Sequence, residues 1–134
     1  MDAAERTVRD LFAAFAARDG AASVSVLHPE VEFWAQPTGE LAAHPEPYRG
    51  HDGYRAYLAD VERVWERLSV DPRDFRVAGS GVIAFGSIDG VARGGERLQG
   101  QPVIWVFRLR DGLIAYGRVA KSPAEARALA GGGG

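Results

Sequence analysis

From Gln101 to Lys121 the chain reads QPVIWVFRLRDGLIAYGRVAK, two apolar runs joined by Asp111-Gly112. Asp-Gly is a strong hairpin signal, because a two-residue type I′ turn needs positive φ at both positions. Side chains alternate along a strand, so Trp105, Phe107 and Leu109 share one face and Ile104, Val106 and Arg108 the other. Both faces are largely apolar, which calls for cover on both sides.

The earlier part of the chain reads as helices. Val8, Leu11, Phe12 and Phe15 recur at i, i+3, i+4 and i+7 and predict an amphipathic helix from Ala3 to Arg18, stopped by Asp19-Gly20. A short second helix is expected over Ala21 to Leu27, ended by Pro29, which disfavours helix at His28. Val31 to Trp34 has strand composition. Gln36 to Gly50 carries three prolines and two glycines and reads as a loop. Tyr54, Tyr57, Leu58, Val61, Trp65 and Leu68 restore helical spacing from His51 to Leu68, and Asp71-Pro72 is expected to break the chain there. Phe75 to Ala78 and Val82 to Ile88 read as strands, and glycine-rich Asp89 to Gly100 as a frayed or bulged strand pair. Ser122-Pro123-Ala124-Glu125 starts a last helix running to about Ala130, with Ser as cap and Pro at the first helical position.

Helices early and antiparallel strands late argue for an α+β fold. Three N-terminal helices on one strongly curved antiparallel sheet would enclose a conical hollow. The expected organisation is a single domain over 1–130, with 131–134 as a disordered glycine tail. The second apolar face of the hairpin predicts a homodimer through the outer sheet face, with Ile104 and Val106 in the contact and Arg108 toward its rim.

Composition narrows the function classes. The chain has 134 residues, 46% hydrophobic and 25% charged, with a formal net charge of -2. Nothing resembles the basic stripe that nucleic acid demands. There is no cysteine, so disulfides and thiolate chemistry are excluded. The charged start lacks a signal-peptide core, and no run approaches a membrane span, so a cytoplasmic protein without membrane contact is the default expectation. His28, His44 and His51 match no compact metal motif, and no metal or cofactor is expected.

Four stretches carry a resemblance: HPEVEFW, YRGHDGYRAYL, VDPRDFRVAGSGVIAFGSIDGVARGG and VFRLRDGLIAYGRVAKSPAEARALA. Together they resemble the SnoaL-like branch of the nuclear transport factor 2-like superfamily. The resemblance implies a cone-shaped, cystatin-like α+β barrel with a deep pocket, usually in a homodimer. It implies no single activity, since such proteins include aldol cyclases, a ketosteroid isomerase, epoxide hydrolases, dehydratases and pure binders. The isomerase works with an aspartate base, a tyrosine and a protonated aspartate. By the match, these fall near Trp34, Ala35 or Gln36, at or near Phe12, and at Trp105. None is a carboxylate or phenol, and proton abstraction from carbon needs a positioned base.

The remaining catalytic candidates are His28 near the expected cone, Glu32 on the first strand, and Lys121 at the cavity mouth in the row Gly117, Val119, Lys121. The plainer reading of each is a surface or half-buried structural residue. The aromatic residues weigh more. A cone lined by Phe12, Trp34, Tyr54, Tyr57, Trp65 and Trp105, with Val119 and Lys121, would hold a hydrophobic small molecule mainly by burial. Three readings stay open: a small-molecule binder without a recognisable catalytic set, a cyclase, isomerase or dehydratase acting on a polyketide- or terpenoid-like substrate, and a dimerisation module with a filled cone.

Overall fold

A computed structural model describes residues 1–131. The elements run α1 (Ala3–Ala16), α2 (Gly20–Ser25), β1 (Leu27–Trp34), α3 (Thr38–Leu41), β2 (Tyr48–Arg49), α4 (Gly50–Val64), β3 (Trp65–Ala78), β4 (Gly81–Ala92), β5 (Arg97–Arg110), β6 (Leu113–Ala120) and α5 (Pro123–Ala130). The six strands form one sheet in the order β2-β1-β6-β5-β4-β3. It is an open curved sheet with β2 and β3 as its edges, not a closed barrel. All neighbours pair antiparallel except β1 and β6, which run parallel.

Local chemistry explains the boundaries. The Asp2 carboxylate accepts from the Ala4 and Glu5 amides and starts α1. Asp111 and Gly112 have φ of 55° and 76°, the two positive values that a type I′ turn needs. The Ser122 hydroxyl accepts from the Glu125 amide, and the Glu125 carboxylate reaches back to the Lys121 amide, so α5 begins on a reciprocal cap.

Several expectations are corrected. α4 stops at Val64, and Trp65 and Leu68 belong to β3. The Trp65 ring packs on Gly90, where an added Cβ would lie 2.7 Å from Cζ3, and strand pairing takes over from helical spacing. Asp71-Pro72 does not end the strand. It forms a bulge in β3, an edge strand, where proline removes no needed donor. The bulge lets β4 approach closely at Gly86, where an added Cβ would lie 2.0 Å from the Asp71 carbonyl oxygen. β1 starts at Leu27, because Pro29 falls in the gap where pairing with β6 is interrupted. The Gln36 to Gly50 loop contains α3 and β2. Gly131 continues the last turn of α5 by donating to the Arg127 carbonyl, and the rest of the expected tail lies outside the described residues.

The core lies on both sides of the sheet. On the concave side Val8, Leu11 and Phe15 of α1 and Tyr54, Tyr57 and Val61 of α4 pack on Val82, Ala84, Trp105, Phe107 and Ile114. On the convex side α5 lays Ala126 and Ala130 on Ile83, Val106 and Ala120, with Ile104 and Phe85 beside them. Val106 is fully buried there. Within the chain α5 covers Val106, and Ile104 beside it stays partly buried.

Candidate functional site

Alternation decides what faces the hollow. Phe33 of β1 pairs with Gly117 of β6, and Gly117 with Phe107 of β5. That row points inward. An added Cβ at Gly117 would lie 2.7 Å from the Phe33 ring, so the glycine makes room for it. α1 supplies Leu11, Phe12 and Phe15, and α4 supplies Tyr54 and Tyr57. With Phe33, Val70, Trp105 and Phe107 they enclose a cavity of ≈ 40 Å³.

The rings nearly fill it. Phe12 meets Trp105 edge-on at 4.9 Å, Phe107 at 5.6 Å and Phe75 at 6.1 Å. Tyr57 stacks on Phe15 at 5.8 Å and meets Phe33 at 4.9 Å. Phe12, Phe33 and Val70 are only partly buried and mark the outlet. Beneath, the Arg18 guanidinium lies 4.1 Å over Phe15 and donates to the Leu68 carbonyl, tying the end of α1 to β3.

The polar groups at the cavity are the phenols of Tyr54 and Tyr57 and the indole N–H of Trp105. Burial holds both Tyr54 and Tyr57 well above the ordinary phenol value. Ser23 is the polar neighbour of Tyr54, and Thr38 of Tyr57. Thr38 is buried and accepts from the Trp65 indole at 3.0 Å. Tyr48, next to this group, donates to Asp60 at 2.7 Å and is also held above its ordinary value, by burial first and the Asp60 bond second. These phenols therefore hold their protons in the folded chain after unfolded tyrosine has begun to lose them. Stability should stay level up to about pH 10 and fall above it, because the unfolded state then binds fewer protons. Urea midpoints measured on both sides of that pH check this, and an unchanged midpoint in alkali would contradict it.

The candidates taken from the sequence separate into three groups. Phe12, Tyr54, Tyr57 and Trp105 line the cavity. Trp65 is buried behind it, and Val119 shares the inward row of Trp105 with partial burial. Trp34, Glu32, His28 and Lys121 lie elsewhere. Trp34 and Glu32 occupy the convex face, where the Trp34 indole donates to Glu32 at 2.7 Å and Arg49 pairs with the same carboxylate at 2.9 Å. His28 turns toward the hairpin end, 3.1 Å from the Arg110 guanidinium. Lys121 is exposed just past the end of β6. Five lining residues were not among the site candidates: Leu11, Phe15, Phe33, Val70 and Phe107. Phe33 was recoverable, since it alternates with Val31, whereas Glu32 and Trp34 share the opposite parity.

Among the described residues no cluster of three or more His, Asp or Glu is placed to hold a metal. No described helix is long and apolar enough to cross a membrane.

The family profile of the SnoaL-like domain matches residues 8–117. The chain belongs to the SnoaL-like domain family. Solved structures agree in fold. A nuclear transport factor 2-like protein from Burkholderia pseudomallei superposes with a TM-score of 0.79 at 22% identity, over 93% of this chain and 95% of that one. TerC, co-crystallised with polyporic acid, gives 0.77 at 22% identity, over 92% and 94%. A Mycobacterium tuberculosis protein in complex with estradiol-17beta-hemisuccinate gives 0.71 at 13% identity, over 93% and 98%. Identities this low show the shared fold alone. No curated protein sequence matches the chain. The family match ends within β6, so α5 lies beyond it.

Proposed function

We propose that this SnoaL-like domain binds a small, flat, largely apolar molecule in its aromatic cavity. The observation that carries the proposal is the lining itself, nine aromatic or aliphatic residues whose polar atoms are two phenols and one indole N–H. Such a surface holds a ligand by burial and edge-to-face contact, and the Tyr54 or Tyr57 hydroxyl can donate one orienting hydrogen bond. The lining offers no carboxylate, imidazole or amine to move a proton at neutral pH, so a cyclase or isomerase working by acid–base chemistry lacks its group there.

Size sets the condition for binding. A site for a drug-sized ligand measures about 300–1,000 Å³, against ≈ 40 Å³ here. Phe12 is the ring to move, since it is partly exposed and makes only edge contacts with its neighbours. The same small volume favours a second reading, a scaffold whose cone is filled by its own rings.

Titration calorimetry with the ligands of two relatives, polyporic acid and estradiol-17beta-hemisuccinate, separates the readings. A binder should take up at least one with a Kd below about 100 µM, some 5 kcal/mol of binding free energy. Phe12→Ala, which removes the ring at the outlet, should tighten that binding by about tenfold, or 1.4 kcal/mol. Absence of heat with both ligands, in both the unmodified chain and the variant, would leave the filled scaffold as the reading.

A further inference from the structure

The floor of the cavity turns on a residue without a side chain. Phe33 of β1, Gly117 of β6, Phe107 of β5 and Val82 of β4 follow one another across the sheet in one inward row. Gly117 is buried between two rings that line the cavity. A Cβ there would lie 2.7 Å from Cδ1 and 3.0 Å from Cε1 of Phe33, and 3.3 Å from Cδ1 of Phe107. Carbon atoms that are not bonded settle at about 3.5–4.0 Å. The two rings therefore lean over the glycine from opposite sides and close above its Cα. The backbone does not ask for glycine here, since the φ of Gly117 is not positive, in contrast to the 76° of Gly112 in the hairpin turn. Gly117 keeps a space, not a conformation. Neighbouring strands lie about 4.8 Å apart, so Phe33 and Phe107, two strands apart, bound a floor about 10 Å wide. That is wide enough for two fused six-membered rings.

We propose that Gly117 sets the thickness of the ligand that the cavity admits, and that this ligand has a planar body of fused aromatic rings, a reading that rests on the cavity being the binding site. With no side chain at 117 the Phe33 ring sits low against β6. It is held there by Tyr54 at 5.3 Å and Tyr57 at 4.9 Å, both edge-on. Across the hollow Phe12 meets Phe107 edge-on at 5.6 Å. The space that Phe12 vacates when it moves is thus the thickness of one ring, with aromatic faces and edges around it. A planar aromatic body fits that slab and matches the quadrupoles of its walls. A puckered saturated body of the same carbon skeleton is thicker, and its C–H groups offer no ring to stack. A methyl group at position 117 would lift the Phe33 ring, because the packing leaves no room beneath it. Phe33 is partly buried, so the lifted ring turns into the cavity or out through the outlet, and the floor is lost either way.

The test is titration calorimetry near neutral pH on the full chain carrying Phe12→Ala, with 2-naphthol and its saturated counterpart trans-decahydro-2-naphthol as probes. The planar probe should bind at least about tenfold more tightly than the saturated one. Adding Gly117→Ala should weaken binding of the planar probe by about tenfold or more. In a chain that also carries Phe33→Ala, the same glycine substitution should cost less than about threefold, because the ring it would displace is gone. Phe33→Ala added to Phe12→Ala alone should bring the two probes within about threefold of each other, since the floor then sinks and admits a thicker body. Heat from neither probe would overturn the cavity as a binding site, and the role of Gly117 with it. Equal binding of the two probes to the Phe12→Ala chain would leave the binding site standing and overturn the role of Gly117. So would an equal loss from Gly117→Ala with and without the Phe33 ring, the mark of a merely structural glycine. The Phe33→Ala arm retains Gly117 and decides the matter even where Gly117→Ala prevents folding: an undiminished preference for the planar probe there would overturn the proposal.

Discussion

Trp105→Ala should lower the free energy of unfolding by about 3–5 kcal/mol, the range for removing a large buried side chain. The residue sits at the centre of β5, 8% exposed, in the wall between the sheet and α1. Its ring takes the edge of Phe12 at 4.9 Å and borders the cavity. Collapse cannot fill the gap easily, because Ala84 and Val119 on the flanking strands are short and held by pairing on both sides. Urea unfolding monitored by circular dichroism measures the loss. A value under about 1 kcal/mol would mean that Trp105 contributes little to the core. The same variant should enlarge the cavity, so a destabilised chain that binds a flat ligand more tightly would support both the packing and the binding proposal.

What the sequence disclosed depended on how many independent signals met at one place. The β5–β6 hairpin was legible because the Asp-Gly turn and strict alternation agree, and the structure keeps Trp105 and Phe107 on one face and Ile104 and Val106 on the other. α5 was legible from its cap. Trp65 and Leu68 were misassigned because the run Val61, Trp65, Leu68 satisfies helical spacing while Leu68 and Val70 equally satisfy alternation. Only pairing with β4 decides between them. Pro72 read as a terminator because edge position is invisible in a single sequence, and an edge strand accepts proline.

The site was less legible than the fold for a related reason. Parity is fixed only relative to a residue of known burial. Val31 is fully buried, and from it Phe33 faces the concave side while Glu32 and Trp34 face out. Lys121 fell from the inward row because β6 ends one residue earlier, at Ala120. The size of the cavity could not be read from composition at all. The aromatic content that suggests a pocket also fills it, and ring-to-ring distances settle how much space remains.

Val106→Glu should destabilise the chain by about 3–5 kcal/mol, because it would take a carboxyl group out of water beneath α5. Alternation alone placed Val106 on a face needing cover, and a second copy was the simplest cover to expect. The structure puts α5 there, with Ala126 and Ala130 fully buried against Ile83, Val106 and Ala120. Small side chains let the helix lie close to the sheet. Gly81 adds to this, since a Cβ there would lie 3.2 Å from the Ala130 Cα. The Arg118 guanidinium across the β5–β6 pair lies over Trp34, so a glutamate beneath α5 pairs with it only by drawing it off that ring; otherwise the carboxyl must stay protonated or push the helix off the sheet. The cost should therefore ease toward low pH, as the carboxyl becomes neutral. The two kinds of cover predict different measurements. If α5 is the cover, the variant loses stability at any protein concentration, and limited proteolysis cuts near Lys121 and Ser122. If a second copy is the cover, sedimentation shows a dimer that the substitution splits, with α5 still protected, and that result would overturn the assignment of α5 as the cover.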